Sequence, residues 1–180
     1  LRRWIFINGA HPLRVRIFSA EKNDLISVAD SKLLCYRITD DGKIPIKNSI
    51  YTAREIIDED LTTDFYGGYC LVFRLTVDDY HRYCFFDNGK LIRSKYINGK
   101  LHTVSPISSK KYKVFSENFR SVSYIETENF GTCYQIEIGA LLVGKIIKIN
   151  KDNLTFTIKV SSRVKKRDTL KWEAQPALLW

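Results

Sequence analysis

From Leu25 onward, short apolar or alternating runs are separated by turn residues, which is the pattern of a β-rich domain. The runs at 33–38, 69–75, 82–86, 91–97, 121–126, 133–138 and 154–160 are rich in Tyr, Phe, Ile and Val. Those residue types suit a pleated, half-buried surface. Asp41-Gly42, Asn88-Gly89 and Asn98-Gly99 lie between runs, and each suits the positive φ of a tight turn. They predict two consecutive hairpins across 83–104. The clearest helix is short: Thr52 and Glu55 form a Thr-x-x-Glu capping box, and the helix runs through Ile56 and Ile57 toward Asp60. The expected fold class is mainly β, a β-rich α+β arrangement. It is a compact single domain of short antiparallel strands and hairpins with few short helices.

Composition narrows the function classes. With 180 residues, 44% of them hydrophobic, the chain can bury one substantial core. Its 29 basic and 20 acidic residues leave a net charge of +9, which favours an anionic partner, either nucleic acid or acidic phospholipid. No apolar run approaches the roughly 18 residues needed to cross a bilayer. The longest, 138–149, is interrupted by Lys145 and Lys148, so a soluble or peripheral protein is expected.

Cys35, Cys70, Cys84 and Cys133 form no C-x-x-C pair and have no histidine at a zinc-ligand spacing. A reduced, intracellular protein without a metal site is the simpler reading. The chain contains no methionine and begins at Leu1, as a processed, trimmed or incomplete chain would. Residues 1–24 form a basic and aromatic N-terminal segment, and 25–180 the domain proper. Residues 159–171 hold six Lys/Arg against Asp168 alone and read as an edge strand blunted by basic residues.

The segment with the most chemistry is Val77-Asp78-Asp79-Tyr80-His81-Arg82, which sets acids, an aromatic, an imidazole and a guanidinium directly after an apolar run. By itself it fits either an active-site segment or a strand end with a polar cap and an ordinary half-exposed histidine.

Several segments, in order, decide between these readings. They are Ser27-Val28-Ala29-Asp30-Ser31-Lys32-Leu33, then 69–82, then Leu101-His102-Thr103-Val104-Ser105-Pro106, then Phe115-Ser116-Glu117-Asn118, Glu128-Asn129-Phe130-Gly131, and 138–144. Together they resemble the phosphatidylserine decarboxylase family of pyruvoyl-dependent enzymes over residues 25–150. The resemblance implies a proenzyme that cuts itself before a serine, which becomes a pyruvoyl group. That group forms a Schiff base with the substrate amine and accepts the electrons left when carbon dioxide departs. It implies Asp30 as the acid of the self-cleavage relay and His81 as the imidazole near the substrate, with Tyr80 and Arg82 beside it. An imidazole titrating near neutrality suits proton transfer, and a carboxylate can fix its tautomer. The implied partner is phosphatidylserine at an anionic membrane surface, with the protein cytoplasmic and peripheral. Nucleic acid is not expected, and a homodimer is compatible with the sequence.

Two departures qualify that reading. Where many members carry a second histidine, this chain has Cys84. A thiol of lowered pKa can act in a relay, but a lone Cys in a strand-like run is usually a small apolar residue. The second departure is larger. The family's Gly-Ser-Thr is absent, and none of the nine glycines is followed by serine. Ser161-Ser162 follows Val160 and reads as part of a strand. The chain is therefore expected to form no pyruvoyl group, which puts its own decarboxylase activity in question. The alternative is a non-catalytic module of the same fold that binds or regulates at anionic phospholipid.

Overall fold

The computed structural model describes residues 25, 27–29, 31–47, 49–76, 79, 81, 83–105, 107–141, 143–146, 155–156 and 177–179. The N-terminal segment, the basic stretch 159–171, Ser161-Ser162 and most of the run 154–160 lie outside the described residues, as do Asp30, Tyr80 and Arg82. The elements are β1 (Lys32–Arg37), β2 (Ile44–Ile46), β3 (Ser49–Tyr51), α1 (Ala53–Ile57), β4 (Tyr69–Arg74), β5 (Gly89–Ile97), α2 (Ser108–Lys111), α3 (Val114–Glu117), β6 (Arg120–Thr127), β7 (Gly131–Ile138), β8 (Thr155–Phe156) and β9 (Ala177–Leu179).

Seven strands form one sheet in the order β1-β4-β9-β7-β6-β5-β8, and β2 and β3 make a separate hairpin. The antiparallel expectation holds except at β9, which pairs in parallel with both β4 and β7. The side-chain period of two along each strand divides the core into two layers. Cys70 and Val72 of β4, Val122 of β6, and Tyr134 and Ile136 of β7 pack with Ile44, Ile56, Ile57, Phe65 and Val114 on one face. Leu71, Phe73, Ile125 and Cys133 pack with Val28, Ala29 and Phe86 on the other. This double burial explains why β4 reads as an unbroken apolar run.

Helix α1 forms as expected. Thr52 is its N-cap, and the reciprocal bonds between Thr52 and Glu55 are both present. It ends at Asp58, whose φ of 57° is left-handed and stops the helix. The two hairpins expected across 83–104 do not form. Strand β5 pairs with β6 and β8, and Tyr83 bridges to Ala29 instead. Gly42 does adopt the positive φ its turn requires, at 75°. Gly89 and Gly99 have a different role: an added Cβ would lie 2.1 Å from the Glu126 carbonyl oxygen and 2.4 Å from that of Glu117. They allow close backbone approach to a neighbouring strand and loop rather than a sharp reversal.

Two buried polar side chains join the layers. Arg120 is only 4% exposed and donates to four carbonyl oxygens: Ile56 at 2.5 Å, Glu55 at 2.9 Å, Ser116 at 2.7 Å and Asn118 at 3.0 Å. Glu55 and Ile56 lie in the last turn of α1, whose carbonyls lack intrahelical partners, and a cation is favoured at that end. Asn118, fully buried, accepts from the His102 amide at 3.0 Å and donates to the carbonyls of His102 at 2.7 Å and Gly139 at 2.8 Å. It fastens the 101–105 loop to the turn after β7.

Replacing Arg120 with Met keeps much of the side chain's length but leaves buried carbonyls without donors. It is expected to destabilise the fold by about 3 kcal/mol or more, while Arg120→Lys loses roughly half as much. Denaturant unfolding of the two variants checks both the size and the order.

Candidate functional site

The second face of the sheet carries the sequence-predicted chemistry. Beyond β4 the chain turns at 76–79, where the Asp79 carboxylate accepts from the Thr76 amide at 2.6 Å and its hydroxyl at 2.9 Å. Asp79 is thus a turn-forming acid, and its own carbonyl orients the next functional group. His81 is exposed, and its Nδ1 lies 2.8 Å from the Asp79 carbonyl oxygen. A carbonyl can only accept, so in the neutral ring Nδ1 carries the proton and Nε2 is left as the basic nitrogen.

The chain then runs antiparallel to the segment before Asp30. Ala29 bridges Tyr83, and the Cys84 amide donates to the Val28 carbonyl at 2.9 Å. Ser27 and Ser31 both direct their hydroxyls to the Ala29 carbonyl, at 2.7 and 3.2 Å. The segments flanking Asp30 and His81, more than fifty residues apart in sequence, therefore lie side by side. Cys84 is half-buried, with Sγ 3.7 Å from the Val28 carbonyl oxygen and 4.0 Å from that of Ser27. Its thiol faces backbone acceptors. Among the described residues, no group of three or more His, Cys, Asp and Glu could hold a metal ion.

Sequence reading missed the polar strip across β6 and β7. Ser121 pairs with Glu137 and Ser123 with Gln135 across the two strands. These four residues share the face that carries Ile125 and Cys133. Ser121, Ser123 and Gln135 are buried, and Gln135 donates to Glu137 Oε1 at 3.2 Å. Tyr83 reaches the same region: burial, and then the charge of Glu137, push its phenol pKa well above the ordinary value. The Tyr83 hydroxyl, Ser121 Oγ and Gln135 Oε1 are buried with no protein hydrogen-bond partner. Buried polar atoms of this kind normally find a partner, in protein, water or ligand. The period-two spacing of Ser121, Ser123, Gln135 and Glu137 is the only sequence signal for the strip, and it resembles that of a solvent-facing sheet.

On the opposite face a hollow of about 50 Å³ is lined by Glu59, Arg93, Lys95, Val122 and Tyr124. It is far below the several hundred Å³ of a typical ligand site. Arg93 in its lining donates to Glu59 at 2.7 Å and to the Tyr134 hydroxyl at 3.0 Å.

Comparison with known proteins agrees with the resemblance in the motifs. The sequence profile of the phosphatidylserine decarboxylase family matches residues 5–171. Phosphatidylserine decarboxylase proenzyme 2 of Clostridium acetobutylicum is 64% identical over 132 residues, covering 73% of this chain and 45% of that protein. The corresponding proenzymes of Clostridium tetani and Clostridium botulinum (strain Langeland) are 38% and 40% identical, covering 74% and 77% of this chain and 46% and 48% of theirs. The chain belongs to the phosphatidylserine decarboxylase family, and it spans about half the length of the curated relatives it matches.

None of the four cysteines is in a disulfide, and their reactivities should separate by burial. Cys35 is exposed, while Cys70 and Cys133 are both at 0% exposure. Burial, reinforced by Asp87, pushes the Cys133 thiol far above its ordinary pKa. Timed labelling with an aromatic disulfide is expected to modify Cys35 first, Cys84 slowly, and Cys70 and Cys133 only after denaturant is added.

Proposed function

We propose that this chain is the phosphatidylserine-recognising part of a decarboxylase acting at an anionic membrane surface, with His81 directed at the substrate amine. The reading rests on the Ala29–Tyr83 bridge with the Cys84–Val28 bond. These contacts bring alongside one another the two segments whose resemblance implies Asp30 and His81 as functional residues. The family reaction converts phosphatidylserine to phosphatidylethanolamine and carbon dioxide, and a pyruvoyl group supplies its electron sink. The residues present do not fit that group, because no glycine here precedes a serine that could become it. No chemical step through it is assigned to this chain. What His81 can do is accept a hydrogen bond from a primary ammonium at Nε2 while the Asp79 carbonyl holds Nδ1–H. A second reading is a non-catalytic module of the same fold that binds or regulates at anionic phospholipid, with no contact between His81 and the headgroup amine.

The two readings separate on lipids of equal charge. Phosphatidylserine carries an amine and phosphatidylglycerol does not, so vesicles of either lipid in phosphatidylcholine present the same surface charge with different chemistry. The proposed reading expects tighter binding to phosphatidylserine vesicles, by roughly tenfold, as a hydrogen bond to a charged group supplies. His81→Ala should reduce that preference to near unity. Equal binding to both vesicles by the unaltered chain supports the headgroup-blind module instead. Incubation of the purified chain should leave its mass intact and release no carbon dioxide from carboxyl-labelled phosphatidylserine. Self-cleavage with turnover would overturn the assignment of recognition without chemistry.

A further inference from the structure

Strands β5, β6 and β7 reach the same end of the sheet, where Ile97 pairs with Arg120 and Arg120 with Ile138. Two connections emerge there, 98–119 between β5 and β6 and the turn after β7, and they expose large apolar side chains that the cores do not use. Leu101 is 39% exposed, Ile107 82%, Leu141 66% and Val143 39%. The other exposed large apolar side chains among the described residues are Ile50, Tyr66, Ile92 and Tyr96; here four lie on connected loops. Leu101 lies against the turn after β7, because a Cβ on Gly144 would sit 2.7 Å from its Cδ1 and one on Gly139 3.2 Å from its Cδ2. That turn is closed by reciprocal backbone bonds between Ala140 and Val143, at 3.1 and 2.9 Å, and Leu141 stands within it. Ile107 belongs to the Leu101 loop. It precedes α2, whose following residue Tyr112 stacks on His102 at 4.2 Å between ring centres.

Positive charge predominates on these loops. Residues 97–117 contain Lys100, Lys110, Lys111 and Lys113 against Glu117, and residues 138–146 contain Lys145 and no acid. Lys111 and Lys145 are exposed. Lys113 is committed to Glu55 at 2.6 Å. Glu117, which ends α3, lies 3.4 Å from His102 and 3.9 Å from Lys100.

We infer that this end of the sheet is the membrane-docking face. In this assignment Ile107, Leu141, Leu101 and Val143 enter the headgroup region of an anionic bilayer, and Lys100, Lys111 and Lys145 meet its lipid phosphates. Apolar side chains at loop tips within a basic surround match the two forces that hold a peripheral protein on anionic lipid. A protein partner would need only the apolar component, and the exposed Lys100, Lys111 and Lys145 beside it select the bilayer. The loops are rigid enough to present the apolar tips together, because Asn118 bonds both the His102 and the Gly139 backbone. This inference rests on the membrane-surface reading above and adds the face that carries it.

The test is co-flotation with phosphatidylglycerol/phosphatidylcholine vesicles, a probe that is independent of amine recognition. Leu141→Asp and Ile107→Asp, both at exposed sites, should each lower the bound-to-free ratio about tenfold with unchanged thermal midpoints. Lys111→Glu with Lys145→Glu should lose binding most at low salt, where surface charge is least screened. Ile50→Asp, on the β2–β3 hairpin at 61% exposure, should bind as the unaltered chain does. If the unaltered chain ignores anionic vesicles, the membrane reading fails and this face fails with it. If the unaltered chain binds and the Asp variants bind equally well, only the assignment of the face is overturned. A dimer in solution that Leu141→Asp dissolves would also overturn it, by making the patch a subunit contact.

Discussion

The buried guanidinium of Arg120 is the constraint on which the arrangement depends. A cation removed from water needs compensation, and here it comes from four backbone carbonyls rather than from a carboxylate. Burial pulls its pKa below the ordinary value, and Asp58 acts in the opposite direction; the side chain remains charged at any physiological pH. Because the fork must meet carbonyls from α1 and from the end of α3 at once, it fixes how the helical layer sits on β6. Asn118, two residues earlier, applies the same logic at the loop end of the sheet. Together they turn the start of β6 into an anchor for two helices, the 101–105 loop and the turn after β7.

That anchoring lets the two faces of the sheet differ. The face under α1 and α3 is closed by apolar packing, including the Tyr51–Phe115 and Phe65–Tyr134 ring contacts. The other face is apolar near Phe73, Phe86 and Ile125 and polar near Ser121, Gln135 and Tyr83. The segment carrying His81 and Cys84 lies over this mixed face. A binding site built on strands keeps its geometry better than one built on loops alone, and the polar strip is strand-built throughout.

Local grammar was legible. The Thr52–Glu55 capping box and the positive φ at Gly42 each depend on a few neighbouring residues, and both occur as expected. The apolar run of β4 and the patterns of β6 and β7 likewise predicted strands within a residue or two of their observed limits. What could not be read locally was partnership. Gly89 and Gly99 look like turn glycines, but their reason is the carbonyl of another segment passing 2.1 and 2.4 Å from where a Cβ would stand. Arg120 and Asn118 look like surface residues, and the carbonyls that justify burying Arg120 lie as many as 65 positions away. The pairing of Ala29 with Tyr83 has no signature in either segment. Only the ordered set of family motifs pointed to that region, and it did so without supplying geometry.

Strand β9 brings a further consequence. The described ladders join β1–β4 to β7-β6-β5-β8 only through Ala177, Leu178 and Leu179, which pair with Tyr69–Leu71 on one side and Cys133–Gln135 on the other. These residues are made more than a hundred positions after β4. During synthesis, most of the chain leaves the ribosome before the sheet can be joined, with two strand edges facing an unfilled slot. Contacts of such long sequence separation form late, and unpaired edges recruit other strands. The interval between making β7 and making β9 is thus the period in which these two edges stand unpaired.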